Sequence, residues 1–136
     1  MGSRRKARII AMQALYSWDV SGTPLPALLE FEWLDADRAQ EDTLAFARLL
    51  VAGTIEHVQE VDAAIGAHLE HWDIKRLARV DLAIMRTAAY ALLFQRDVPA
   101  SVTIDEAVSL AREFSADDSY RFVNGVLDAI RRDRES

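Results

Sequence analysis

Four cations crowd the first eight residues, Arg4, Arg5, Lys6 and Arg8, with no acidic residue among them. Side chains of this kind at this density can hold phosphate. Cations at a helix N-terminus also oppose the helix macrodipole, at about 0.3–1 kcal/mol each when exposed. A negative group must therefore sit opposite them, or the end must be frayed and solvated. By itself a short basic cluster is a weak signal for nucleic acid. The remainder of the chain sharpens the contrast. Of 16 basic residues these four leave 12 against 22 acids, so a protein of net charge −6 has a body of −10. A basic tip on an acidic body points to local contact with an anion, not to general affinity for polyanions.

Other chemistries find little support. No cysteine is present, which removes thiol catalysis and zinc-thiolate sites and suits a reducing compartment, so a cytoplasmic protein is expected. With five glycines, no phosphate-cradling loop can readily be built. His68 and His71 stand beside Glu70 and Asp73, but nothing marks a third metal ligand or its supporting groups, and a solvated helix end is expected instead. His57 reads as a lone histidine on a helix surface. The carboxylates are scattered, so no acid–base pair stands out. The reading is of a protein that is not an enzyme and takes no cofactor or metal.

Asp81 and Arg86 are conspicuous because their surroundings are apolar. Being five residues apart, they do not meet on a helix. Arg86 is expected to pair inside the protein, with Glu106 the leading candidate. Asp81 has two open explanations: the dipole of its own first helical turn, or a basic residue of a partner.

The elements that carry these residues follow from periodicity. From Val80 to Phe94 no Gly or Pro intervenes, and apolar residues recur on two faces, Leu82-Met85-Ala89-Leu92 and Val80-Ile84-Ala88-Ala91. A helix apolar on most of its circumference must be enclosed, and this one is too short and too polar to span a bilayer. It is read as a buried central helix. A first helix is predicted over about Ser3 to Trp18, then a loop over Ser21–Pro26, a helical piece from Leu25 to Leu34, and a polar stretch from Asp35 to Glu41. A longer helical pattern runs from Asp42 to Leu69, with a kink or division expected at Gly53-Thr54. Trp72 is expected at a corner, with Asp73 capping the segment after it. Arg96-Asp97-Val98-Pro99 reads as a turn, Thr103-Ile104-Asp105-Glu106 as a capping box, and Asp117 with Asp118 as the start of the last helix. Gly125, inside that helix, suggests close approach to the central one. No strand pattern or repeat appears, and the fold class is all-α.

The stretch from Asp97-Val98-Pro99 to Leu127 closely resembles the NusB family of bacterial transcription antitermination factors. The likeness lies in Ile104-Asp105-Glu106-Ala107-Val108, Leu110-Ala111-Arg112-Glu113-Phe114 and Arg121-Phe122-Val123-Asn124-Gly125-Val126-Leu127. It extends to Ile84-Met85-Arg86 with Tyr90, and to Arg8 with Gln13-Ala14-Leu15-Tyr16. Asp105 stands where the family usually has Asn, Ser115 where a helix-ending Gly is usual, and Asp81 where Glu is common. The resemblance implies two small helical bundles packed as one domain over 1–136, with halves at about 3–70 and 73–134. It implies pairing with the ribosomal protein NusE and binding of the boxA element of nascent ribosomal RNA. Assembly with RNA polymerase and other Nus factors would follow, as would a homodimer in some members, with no membrane role. Position by position, Arg4, Arg5, Lys6 and Arg8 match an arginine-rich RNA-binding motif. Tyr16, Asp118, Arg121 and Phe122 match positions of the RNA and partner surface, and Asp81 an acidic position facing NusE. Tyr16 and Phe122 also sit beside apolar stripes, where core packing is the plainer role. Two other readings are an NusB-like module of a ribosomal RNA cytosine methyltransferase, whose glycine-rich motifs are missing from this sequence, and a dimeric scaffold without an RNA role.

Overall fold

A computed structural model describes residues 3–34 and 40–135, apart from the side chains of Ser3 and Trp72. Most of the expected polar stretch at 35–41, and the corner packing of Trp72, lie outside that description. Among the described residues seven α-helices follow one another: α1 (Ser3–Ser21), α2 (Leu25–Leu28), α3 (Glu41–Glu56), α4 (Val58–Gly66), α5 (Arg79–Phe94), α6 (Ala100–Phe114) and α7 (Ser119–Glu135). Two single 3-10 turns, Glu70–Trp72 and Ile74–Arg76, lead from α4 to α5. No strand occurs among the described residues.

The organising element is α5. Every residue from Asp81 to Leu92 is buried, as its all-round apolar pattern demands. It packs against α1, α3, α4, α6 and α7, and the buried apolar side chains form one continuous cluster. Three polar residues, Asp81, Arg86 and Thr87, are carried inside with it. Arg86 donates from Nε and Nη2 to the two carboxylate oxygens of Asp62 on α4, each at 2.9 Å. Its Nη1 lies 4.0 Å from Asp19 of α1, and its guanidinium carbon stands 5.4 Å from the Trp18 ring centroid. The internal partner of Arg86 is thus Asp62, not the expected Glu106. The two carboxylates differ in topology: α4 crosses α5 at Arg86, while Glu106 lies on α6 opposite Arg5.

Arg79 secures the entry to α5. It donates to the carbonyls of Ile74, Lys75 and Leu77 and to Asp19 at 3.1 Å. Asp73 accepts from the Lys75 amide at 3.1 Å, which is the capping expected of it. At the other end of α5, Arg134 of α7 donates to the Leu92 carbonyl at 2.9 Å, satisfying a group that a helix C-terminus leaves orphaned.

Several local expectations change. The long pattern after Asp42 divides at His57 (φ −109, ψ 25), not at Gly53. Gly53 lies within the helix, and its lack of a side chain makes room for Tyr90: a Cβ there would overlap the Tyr90 ring. Gly125 has no neighbour within 4 Å of such a Cβ, so close approach is not its reason. The Thr103–Glu106 capping box is not formed. Pro99 is the residue before α6, which starts at Ala100, and Thr103 is buried inside the helix with its hydroxyl unpartnered. Proline fixes the φ of a helix entry, so it starts the helix a turn early. Ser115 ends α6 in extended conformation, at φ −106, avoiding the left-handed geometry that a Cβ disfavours. The piece beginning at Leu25 is helical only to Leu28, and Phe31 then turns with φ 52.

Candidate functional site

The basic N-terminus folds as the first turns of α1, and its cations do not share one environment. Arg5 reaches α6: Nη1 donates to Ser109 Oγ at 2.9 Å and lies 3.7 Å from Glu106, while Nη2 pairs with Glu113. Here are the opposing acids that the helix dipole requires. Arg4 and Arg8, one turn apart, turn the other way, over the Phe46 ring of α3, at 4.0 and 5.6 Å from its centroid. Among the described residues neither has a hydrogen bond or an ion pair. Half-burial draws the pKa of Arg8 down, Glu106 opposing and Arg4 reinforcing the shift. A guanidinium still keeps its charge at neutral pH. Such cation–π contacts contribute about 0.5–1 kcal/mol when exposed and leave the N–H donors unspent.

These arginines edge a groove of about 1010 Å³ between α1, α3, the end of α5 and the start of α6. Phe46, Leu49, Tyr90, Phe94 and Val102 supply apolar surface, and Asp42, Asp97 and Glu106 supply carboxylates. Phe94 is 40 % exposed. It stacks on His57 at a centroid distance of 4.1 Å and on Tyr90 at 5.5 Å. His57 is therefore not the lone surface histidine that its sequence setting suggests, and its Nδ1 lies 3.3 Å from Glu60. Burial, then Glu56, raises the Tyr90 pKa, so its phenol stays protonated. Below Arg8 a cavity of about 20 Å³ reaches Thr87 and the unpartnered hydroxyl of Thr103.

Comparison with known proteins bears on residues well beyond the groove. Residues 5–132 match the model of the NusB family. The chain belongs to the NusB family. It is 52 % identical over 130 residues to the Transcription antitermination protein NusB of Treponema pallidum (strain Nichols), covering 95 % of this chain and 92 % of that one. Among solved structures it resembles NusB of T. maritima, with TM-score 0.86, 36 % identity and coverage of 95 % and 90 %. It also resembles a chain in a structure of the antitermination factors NusB and NusE in complex with double-stranded RNA. That match has TM-score 0.87, 28 % identity and coverage of 96 % and 97 %. The all-α fold of this chain is thus the NusB fold, and no described helix is long and apolar enough to cross a membrane.

Against the family's expected surface, the geometry separates the residues into distinct places. Arg4, Arg5 and Arg8 edge the large groove; Lys6 is half-exposed beside them. Tyr16, 41 % exposed, lies two helical turns further along α1, roughly 12 Å beyond Arg8 by the helical rise. It lines a shallow apolar hollow of about 250 Å³ with Met12, Gln13, Val80 and Phe114. Asp118 and Arg121 sit at the α6–α7 corner. There Arg121 donates to the Tyr120 hydroxyl at 3.1 Å, and Arg112 lies 4.4 Å from the Tyr120 ring centroid. Phe122 is 39 % exposed on α7. None of Tyr16, Asp118, Arg121 and Phe122 lines the α1 groove. Asp81, in the first turn of α5, is only 6 % exposed, and its Oδ1 has no hydrogen-bond partner among the described residues. His68 binds Asp133 of α7 at 2.7 Å and His71 approaches Glu70 at 3.4 Å. Among the described residues no cluster of three metal-type ligands exists.

Phe46, Tyr90 and Phe94 are groove residues that sequence reasoning passed over, and so is the stacking of His57 on Phe94. Tyr90 and Phe94 are spaced to meet on one helix face, but within so apolar a helix they read as core.

Proposed function

We propose that this NusB-family chain is an RNA-binding transcription antitermination factor. It pairs with a NusE-type ribosomal protein and binds the boxA element of nascent ribosomal RNA, helping RNA polymerase, with other Nus factors, to read through terminators. The observation that carries this reading is near-full-length identity of 52 % to a protein named for transcription antitermination. The likeness to NusB solved with NusE and RNA supports it. The chemistry of α1 agrees: Arg4 and Arg8 present unspent donors beside aromatic surface, the combination that holds phosphates and unstacked bases. Asp81 is the candidate for a basic residue of the ribosomal protein, because its buried Oδ1 lacks a partner among the described residues. A homodimer would compete with RNA if it covered this surface.

Titration of a boxA RNA with the protein alone, then with NusE present, tests the reading. Binding is expected in both series and tighter with NusE. The logarithm of affinity should fall with the logarithm of salt by about 0.7 per single-strand phosphate neutralised. No RNA binding in either series overturns it. Asp81→Asn keeps shape and removes charge, so it should weaken NusE capture with the fold intact; undiminished capture returns Asp81 to a helix-dipole role.

A further inference from the structure

The groove beside α1 combines three features that the family assignment does not explain. Its cations are divided: Arg5 is engaged by Ser109, Glu106 and Glu113, whereas Arg4 and Arg8 lie over the Phe46 ring with no hydrogen bond or ion pair among the described residues. Its floor is aromatic, with Phe94 40 % exposed although most of α5 is buried. Phe94 is also prevented from sinking inward, since His57 stacks on it and Tyr90 is wedged against Gly53. With Leu49 and Val102, which are also exposed in this groove, the ring makes an apolar patch of the kind that marks a binding site.

We propose that Phe46 and Phe94 form a base-stacking subsite for unpaired ribonucleotides, with Arg4 and Arg8 receiving the phosphates that flank the stacked base. The inference rests on the RNA-binding reading above and adds the place where bases lie. Charge assigns the orientation. Asp42 and Asp97 repel phosphate and can accept hydrogen bonds from base amino groups, so the bases enter the groove and the backbone follows α1. The groove, at about 1010 Å³, has room for more than one nucleotide. Stacking on aromatic faces is tolerant of base identity. The subsite therefore adds affinity for single strands without adding sequence preference.

The test compares a single-stranded boxA RNA with a duplex of the same sequence, using the full chain. Phe46→Leu and Phe94→Leu, which keep apolar volume, are each expected to weaken single-strand binding about 5- to 100-fold. The salt slope and the duplex affinity should be unchanged. Arg8→Gln should weaken both RNAs and lower the slope by about 0.7 for the single strand. Phe94→Trp gives a direct reading that does not depend on the leucine variants folding: its added fluorescence should be quenched by single-stranded RNA. Leucine variants that bind like wild type while Arg8→Gln is weakened would overturn the subsite and leave the RNA-binding reading standing. So would an added indole signal that stays unquenched with RNA bound. Loss of NusE capture with RNA affinity intact would make the groove a protein seat and would equally overturn it. If wild type itself binds no RNA, the broader reading fails first.

Discussion

Two arginines on opposite sides of the same core, Arg86 and Arg8, show how one residue type is used in contrary ways. Around Arg86, two carboxylates from α1 and α4 meet a buried cation. Around Arg8, no carboxylate is within ion-pair reach among the described residues; a ring and an open groove are there instead. A buried cation without a partner would be forbidding in cost, so α4 can pack on α5 only with Asp62 in place. A half-buried cation with free donors remains able to bind something else. Satisfied charge locks helices together, and unsatisfied charge at the rim is left for a ligand.

The largest expected effect comes from the first region. Arg86→Ala strands Asp62 and should destabilise the protein by about 3 kcal/mol, read as a lower urea midpoint. A loss well under about 1 kcal/mol would erase the contrast. Replacing both partners, Arg86→Met with Asp62→Leu, should recover most of the stability.

Next in size are the helical glycines. Gly53→Ala drives a Cβ into Tyr90 and should cost about 1–3 kcal/mol by overpacking, while disturbing the stack on Phe94. Gly125→Ala meets open space and should stabilise by about 0.4–1 kcal/mol. Thermal melts giving both changes the same sign would refute the account of Gly53.

Smallest is a difference between tyrosines. Burial raises the pKa of Tyr90, whereas the hydrogen bond and charge of Arg121 lower that of Tyr120. In an NMR pH titration Tyr120 should ionise first. For Tyr90 the folded value lies above the unfolded one, so its contribution to stability is whole below pH about 10 and is lost as pH rises through the folded value. Simultaneous titration would place Tyr90 in water.

Much of this architecture is legible in the sequence where one helix suffices to explain a residue. The enclosure of α5 follows from its own circumference, and the capping role of Asp73 from its position. Reading fails where the cause lies on another helix. Gly53 looks like a break because the ring that demands it is 37 residues away at Tyr90. Arg86 could not be given Asp62 rather than Glu106, since only the crossing of α4 over α5 decides between them. The basic half of the groove is visible as composition. The aromatic half is not, because Phe46, Tyr90 and Phe94 converge from two helices while each resembles an ordinary core position.

The bond from Arg134 to the Leu92 carbonyl joins the last turn of the chain to the last turn of the central helix, two residues before Phe94. Trimming a few residues from the C-terminal end, a change far away in sequence from the basic tip, would therefore loosen the ring against which a base is proposed to rest.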